Sequence, residues 1–353
     1  MGWLVRAQWE VKAYMADMAD STNAANAVSI KGTGKGVATA APVARRFRLH
    51  RRMGIAYLLG SLGVLCFSLS LPATRVADAG FGGIVVGLGR ALIAAALAAG
   101  LLAIRRERLP ERRYWLGLAL VALGVVIGFP LCVSIALQSL PSSHGAVVVG
   151  LLPAATAVFA SIRAGERPPL LFWIGCSVGV LAVLFFAVVQ GAGRPQPMDA
   201  VLFLAVALGG LGYAEGGRLA RELGGWRVVC WALLLAAPLL TPIVAVAALT
   251  SQTTPTPAAW LGLAYVAVFS MWLGFFAWYQ GMALGGIARI SQLQLFQPLL
   301  TLGWSALLLG ETLTPMMVVA AVLVVASVAF SQRARASSSH PCLLYTSDAA
   351  DDL

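Results

Sequence analysis

A few polar side chains stand inside long apolar stretches of the sequence, and any chemistry must centre on them. Arg90 interrupts "GIVVGLGRALIAAAL" (83–97). A guanidinium at the centre of a lipid-embedded helix costs about 2.5–3.5 kcal/mol on insertion scales, so it must face a protein interior or a wet cavity. There it can anchor an anionic group such as a substrate carboxylate. It can equally be structural, bonded to carbonyls or reaching outward toward Asp78, and the sequence holds these two readings level. Glu215, in "GYAEGGR" (212–218), is a candidate to bind a proton or a cation. The favoured reading is an end-of-helix pair with Arg218, three residues on. Ser291, Gln294, Gln297 beside Pro298, Thr301 and Ser305 follow steps of three and four, which puts them on one face of an otherwise apolar helix. Such a stripe suits a cavity wall. Its rival is hydrogen bonding between helices, worth well under about 2 kcal/mol per contact. Trp278, with Trp272, Tyr213, Tyr279 and Tyr57, is placed to line a cavity, although most aromatics near span ends anchor at the membrane interface. The candidate binding set is therefore Arg90, Glu215, Gln294, Gln297, Thr301 and Trp278. At a rise of ~1.5 Å per residue Arg90 lies ~12 Å and Glu215 roughly 22 Å below the outer face, so a direct bridge between them is not expected.

Other chemistries find less support. The three histidines (His50, His144, His340) and five cysteines (Cys66, Cys132, Cys176, Cys230, Cys342) form no HxxxH, HExxH or CxxC spacing. No metal, disulfide or cofactor is expected. His144, beside Ser142 and Ser143, is the only nucleophile–base candidate, and a lone histidine at a span start reads as interfacial. A phosphate-cradling GxxxxGK[ST] is absent, so the chain is not its own ATPase.

These residues need apolar elements to hold them. The 353 residues are 59% hydrophobic and only 11% charged, with mean hydropathy +0.85. A soluble domain carries about a quarter charged residues, so this chain lacks the polar surface for a water-facing globule. Apolar runs near the ~20 residues that cross a bilayer recur at 54–71, 82–104, 115–138, 143–162, 170–190, 200–217, 228–249, 258–280, 287–309 and 313–331. The net charge of +11 comes from arginines clustered between the runs, as in "RRFRLHRR" (45–52), rather than from one nucleic-acid-binding face. With a cytoplasmic N-terminus, 18 arginines fall inside and two, Arg75 and Arg194, outside. The positive-inside rule thus places both termini in the cytoplasm. Residues 1–52 are expected to be a disordered basic tail, its first 44 residues polar and rich in small residues, and 332–353 a C-terminal tail. The last stretch, "CLLYTSDAADDL" (342–353), breaks from the basic tail and reads as translated adapter sequence.

An internal repeat organises the runs. Pro153, Gly165 and Glu166 match Pro298, Gly310 and Glu311 at one offset of 145 residues. The halves 53–190 and 199–331 each hold five runs. An odd number sends the second half back through the membrane from the opposite face. The expected fold is all-α and polytopic, with ten transmembrane helices in two inverted five-helix repeats, an architecture common among alternating-access carriers. Glu166 is then expected inside and Glu311 outside, with both prolines kinking their helices.

The segments "LPATRVADAGFGGIVVGLGRALIAAAL" (71–97), "GYAEGGRLARELGGWRVVCWAL" (212–233) and "GFFAWYQGMALGGIARISQLQLFQPLLTLGWSALLLGE" (274–311) resemble EamA-type transporters of the drug/metabolite transporter superfamily. The resemblance covers residues 53–331. It implies an inner-membrane carrier of bacteria, of a kind in which many members export amino acids, other metabolites or drugs. Four-span relatives couple efflux to protons through a first-helix glutamate. Here "GIAYLLGSLGVLCFSLSL" (54–71) has no acid, so that mechanism is not carried over. The expected function is secondary transport, by export, of small amino-acid-like or amphiphilic metabolites. Import of the same solutes and intramembrane enzymology on a lipid-like substrate are the alternatives. Expected partners are the solute and the bilayer. A coupling proton or other ion and a second copy of the chain are further options, and nucleic acid is not expected.

Overall fold

Runs dominated by Ala, Leu and Val have no water to take up their backbone hydrogen bonds in lipid, and helices satisfy those bonds internally. The computed structural model describes residues 41–164, 169–190, 196–251 and 254–337, and every regular element among them is helical. The chain divides into two units, Met1–His50 and Arg51–Leu353, and the candidate site belongs to the second. Of the first unit, residues 41–50 are described, as helix. The expectations placed on residues 1–40, Glu166, Arg167, Arg194 and 338–353 lie outside the described residues.

In chain order the elements are α1 (Ala41–Ser68), α2 (Ser70–Phe81), α3 (Gly83–Ile104), α4 (Trp115–Val121), α5 (Phe129–Leu137), α6 (Ser142–Val149), α7 (Leu152–Ala164), α8 (Leu170–Gln190) and α9 (Pro197–Leu223). There follow α10 (Gly225–Thr250), α11 (Pro257–Tyr265), α12 (Phe275–Gly285), α13 (Ile287–Ile290), α14 (Gln297–Leu309) and α15 (Pro315–Ser337). Seven continuous or nearly continuous helical stretches are long and apolar enough to cross a bilayer: 52–81, 83–104, 112–137, 142–162, 197–223, 225–250 and 257–285. Shorter apolar helices at Trp173–Phe186, Leu293–Leu309 and Pro315–Phe330 occupy the places of the fifth, ninth and tenth apolar runs.

Several stretches change helical pitch partway. Between α4 and α5 the chain winds as a π-helix, Ala122–Gly128, and between α11 and α12 as another, Val266–Gly274. A 3₁₀ segment, Ser291–Phe296, separates α13 from α14. The prolines take a different place from the one expected. Pro298 sits in the first turn of α14, and Pro153 is the second residue of α7, after a turn at Gly150–Leu151. Neither kinks a continuous helix. Each restarts one, where its missing N–H has no intrahelical partner to lose.

Lengthwise packing builds the core: α15 lies along α8, α10 along α3, α9 along α7 and α11 along α2. Close approach depends on missing side chains. A Cβ on Gly87 would come within 2.9 Å of the Leu131 Cα, so the glycine lets α3 press against α5. That contact lies one turn before Arg90 and sets where its side chain starts.

Candidate solute site

The pitch changes matter because the residues around them enclose a cavity. From α1 and α2 come Phe67, Ser70 and Thr74, from α3 Arg90, from the first π segment Val125, and from α5 Phe129 and Pro130. Across from them stand Tyr213 of α9, Ser270 and Met271 of the second π segment, Phe275 of α12 and Gln297 of α14. π-turns widen a helix locally and are frequent at functional sites. The space open to the centres of water molecules is about 30 Å³, room for about two waters. Sites for drug-sized ligands run to roughly 300–1,000 Å³, so in this conformation the cavity is too small for such a ligand.

The lining interleaves polar groups with aromatic rings. Arg90 is only 3% exposed, and its Nη1 donates a long hydrogen bond, 3.4 Å, to Thr74 Oγ1. The Arg90 Nε is buried with no hydrogen-bond partner. Asp78, one turn beyond Thr74, acts on the Arg90 charge from a distance, and both its carboxylate oxygens are likewise buried without a hydrogen bond. Ser70 Oγ and Ser270 Oγ are hydrogen-bonded at 2.7 Å, joining α2 to the second π segment. The rings of Phe67, Phe275 and Tyr213 pack at centroid distances of 4.9 to 6.2 Å. An unpaired guanidinium edge facing hydroxyls, an amide and aromatic faces can receive a carboxylate while the rings take apolar or cationic groups.

Arg90 and Gln297, far apart in sequence, come together at this cavity. Gln294 stands behind Gln297 and donates to its Oε1 at 3.3 Å. Trp278 is fully buried and packs against Phe67 and Tyr213, outside the lining itself. Thr301 gives its hydroxyl to the Ser68 carbonyl at 2.7 Å, which ties α14 to α1. Glu215 holds Arg218 through contacts of 2.6 and 3.2 Å near the far end of α9. Sequence reasoning missed Ser70, Thr74 and Ser270. For the first two a signal existed, since Ser70, Thr74 and Asp78 follow steps of four.

Both ends of the bundle carry polar ties. At one end Arg227 clasps Glu107 through two bonds of 2.9 and 2.6 Å, and the Tyr114 hydroxyl donates to Glu222 at 2.9 Å. At the other, Gly310 ends α14 in the left-handed conformation, φ +63°, and turns Glu311 onto the start of α6. The Glu311 carboxylate accepts the Ser142 and Ser143 backbone N–H groups at 3.0 and 2.9 Å and the Ser142 hydroxyl at 3.0 Å. Arg75 approaches to 3.8 Å and also donates to the Leu137 and Leu140 carbonyls. Partial burial pushes the Glu311 pKa up, but the bonds from Ser143 and Ser142 outweigh it and leave the carboxyl below its ordinary value. The Gly-Glu that closes the second-half motif is thus a helix stop followed by a cap for another helix.

Comparison with known proteins adds to this geometry. The model of the EamA-like transporter family matches twice, over residues 54–188 and 196–332. The "Uncharacterized transporter YdeK" of Bacillus subtilis (strain 168) is 45% identical over 277 residues, 78% of this chain and 96% of that protein. The "Probable terminal-alkyne amino-acid exporter" of Streptantibioticus cattleyicolor is 24% identical over 278 residues, 77% of this chain and 91% of its own length. A solved structure titled "Crystal structure of protein" superposes with a TM-score of 0.57 at 19% identity, over 78% of this chain and 97% of that one.

Proposed function

As this chain belongs to the EamA-like transporter family, we propose that it exports small amino-acid-like metabolites by alternating access, with the Arg90 cavity as the solute site. One observation carries the reading: a buried arginine with an unpaired Nε borders a cavity lined by hydroxyls, an amide and aromatic rings. The solute class rests on that chemistry together with the printed function of the Streptantibioticus relative. Arg90 takes the carboxylate, Gln297, Ser70, Thr74 and Ser270 orient the polar atoms, and Phe67, Tyr213 and Phe275 take the apolar part. Gln294, Trp278 and Thr301 act behind this lining by holding it in place, and Glu215 acts through its pair with Arg218. Both relatives are named as carriers, a transporter and an exporter, in keeping with a non-enzymatic role.

The proposed frame is ten crossings in two inverted repeats, 53–190 and 199–331, in the bacterial inner membrane with both termini cytoplasmic. The seven long and three shorter apolar stretches support it, as do the paired family matches. The π segments begin at Ala122 and Val266, 144 residues apart, close to the offset of 145 that separates Pro153 from Pro298. The test is flux in liposomes holding the full chain, with a panel of labelled amino acids that includes one with a terminal alkyne. Saturable flux is expected for some members of the panel. Arg90→Ala should cut it by about tenfold or more, equivalent to about 1.4 kcal/mol of lost stabilisation, with protein abundance intact. Arg90→Lys should recover part of it, because an ammonium supplies charge without the guanidinium fork. Wild-type flux in Arg90→Ala would refute the anchor.

A further inference from the structure

Away from the cavity, His144 Nε2 lies 2.6 Å from Asp199 Oδ1, and the two residues are only 2% and 3% exposed. The contact joins α6 to α9, and neither residue lines the Arg90 cavity. The second Asp199 oxygen accepts the Gln196 N–H at 3.0 Å, and the residue occupies the first turn of α9. The Phe186 ring packs on the imidazole at a centroid distance of 5.0 Å and excludes water on that side.

Such a pair has two accessible charge states. With imidazolium opposite carboxylate it is neutral overall, and the contact is charge-assisted, roughly twice as strong as a neutral hydrogen bond. When the ring gives one proton to water, a neutral imidazole is left beside a buried anion. The pair then carries a net negative charge in a low-dielectric site, and the link between α6 and α9 weakens.

The other charged groups on the elements packed around the pair are few. On α2 they are Arg75 and Asp78, and beyond α14 there is Glu311, which caps the two residues before His144. α14 carries none, α5 contributes only Cys132 and α8 only Cys176. The basic residues of α7 and α15, Arg163, Arg333 and Arg335, and the Glu215, Arg218, Arg221 and Glu222 group of α9, lie toward the opposite ends of their helices. Along α9, Glu215 is ~24 Å from Asp199. Arg227 of α10 and Glu107 form their own clasp at that far end.

We propose that His144–Asp199 is a proton-binding site whose occupancy fastens α6 to α9, so that this end of the bundle opens when the proton leaves. As a coupling device it rests on the transport reading above, but its test needs no solute. The full chain would be labelled with ¹⁵N-histidine and reconstituted in phosphatidylethanolamine–phosphatidylglycerol liposomes. With three histidines in the sequence, the His144 signal is assigned by its loss in His144→Gln. Expected is a His144 ring signal that changes between acid and alkaline pH in the wild type and follows a different profile in Asp199→Asn, where the counter-charge is gone. Spin labels at Ser139→Cys and Ala200→Cys, both exposed, would be introduced with the native cysteines replaced by alanine. Their separation should lengthen from acid to alkaline pH, and should lose its pH dependence in His144→Gln and in the near-isosteric Asp199→Asn. A ring signal that does not respond to pH, a profile indifferent to Asp199→Asn, or a separation equal at acid and alkaline pH would each overturn the proposal.

Discussion

The Glu311 carboxylate does its work through three hydrogen bonds from Ser142 and Ser143 and the more distant Arg75 guanidinium. Its folded pKa is lowered from 4.5, so its contribution to stability is complete above the ordinary carboxylate range and is lost as pH falls through the lowered folded value. Glu311→Gln turns an N–H toward donors and should cost about 1 kcal/mol, as the loss of a cap does. In detergent the wild-type melting temperature should exceed that of the variant by about 2–4 °C near neutral pH, and the gap should close below pH ~4.5. A gap of constant size from about pH 3 to 7 would rule out the cap as its source. At this scale the sequence was legible where burial is costly. Arg90 and Gln297 declare themselves because a strongly polar group in an apolar run must turn inward. Ser70, Thr74 and Ser270 do not, because a hydroxyl can bond its own helix and enters lipid-facing sequence at little cost, as Ser70 does with the Cys66 carbonyl. His144 read as interfacial because its partner lies 55 residues on, in another helix, and no local spacing announces it.

Hydropathy located the apolar helices but blurred their ends and interiors. The stretch expected at 54–71 continues through α2 to Phe81, and the one at 200–217 runs on to Leu223, because polar residues at span ends extend a helix without extending the apolar run. The π segments left no trace in composition, since Ala122–Gly128 is as apolar as its flanks. Glycines carry a clearer message once the packing is known. A methyl on Gly87 would strike backbone, the Leu131 Cα at 2.9 Å and the Pro130 carbonyl at 3.2 Å, whereas one on Gly100, in the same helix, meets nothing within 4 Å. Gly87→Ala should therefore destabilise by about 1–3 kcal/mol and displace Arg90 from the cavity, which lowers flux as well. Gly100→Ala should be neutral or stabilising by up to about 1 kcal/mol. Melting curves of the two variants in detergent check the contrast, and equal shifts would mean that the close approach of α3 to α5 carries no weight.

Across the bundle, two sets of polar ties lie toward opposite ends of α3, and in the proposed alternating-access cycle each set yields in turn to let a solute pass. The Glu107–Arg227 clasp follows the C-terminal end of α3, while Arg75 and Glu311 meet beyond its N-terminal end, a separation of ~33 Å for its 22 residues. Glu107 and Arg227 are paired at 2.6 Å and partly withdrawn from water. Removing both charges releases the clasp without leaving either ion unpaired. The inverted-repeat reading puts Glu107 and Arg227 on the cytoplasmic face and Glu311 on the outer face. Cysteines at Glu107 and Arg227, in a background without native cysteines, should react with a membrane-impermeant thiol reagent from the cytoplasmic side alone, and a cysteine at Thr312 from the outer side alone. Bridging the first pair with a cleavable bifunctional reagent should stop flux in liposomes, and cleavage should restore it, because the proposed cycle lacks its cytoplasmic opening until the bridge is cut. Labelling of positions 107 and 312 from the same side would break the inverted arrangement, and undiminished flux through the bridged protein would remove the clasp from the transport cycle.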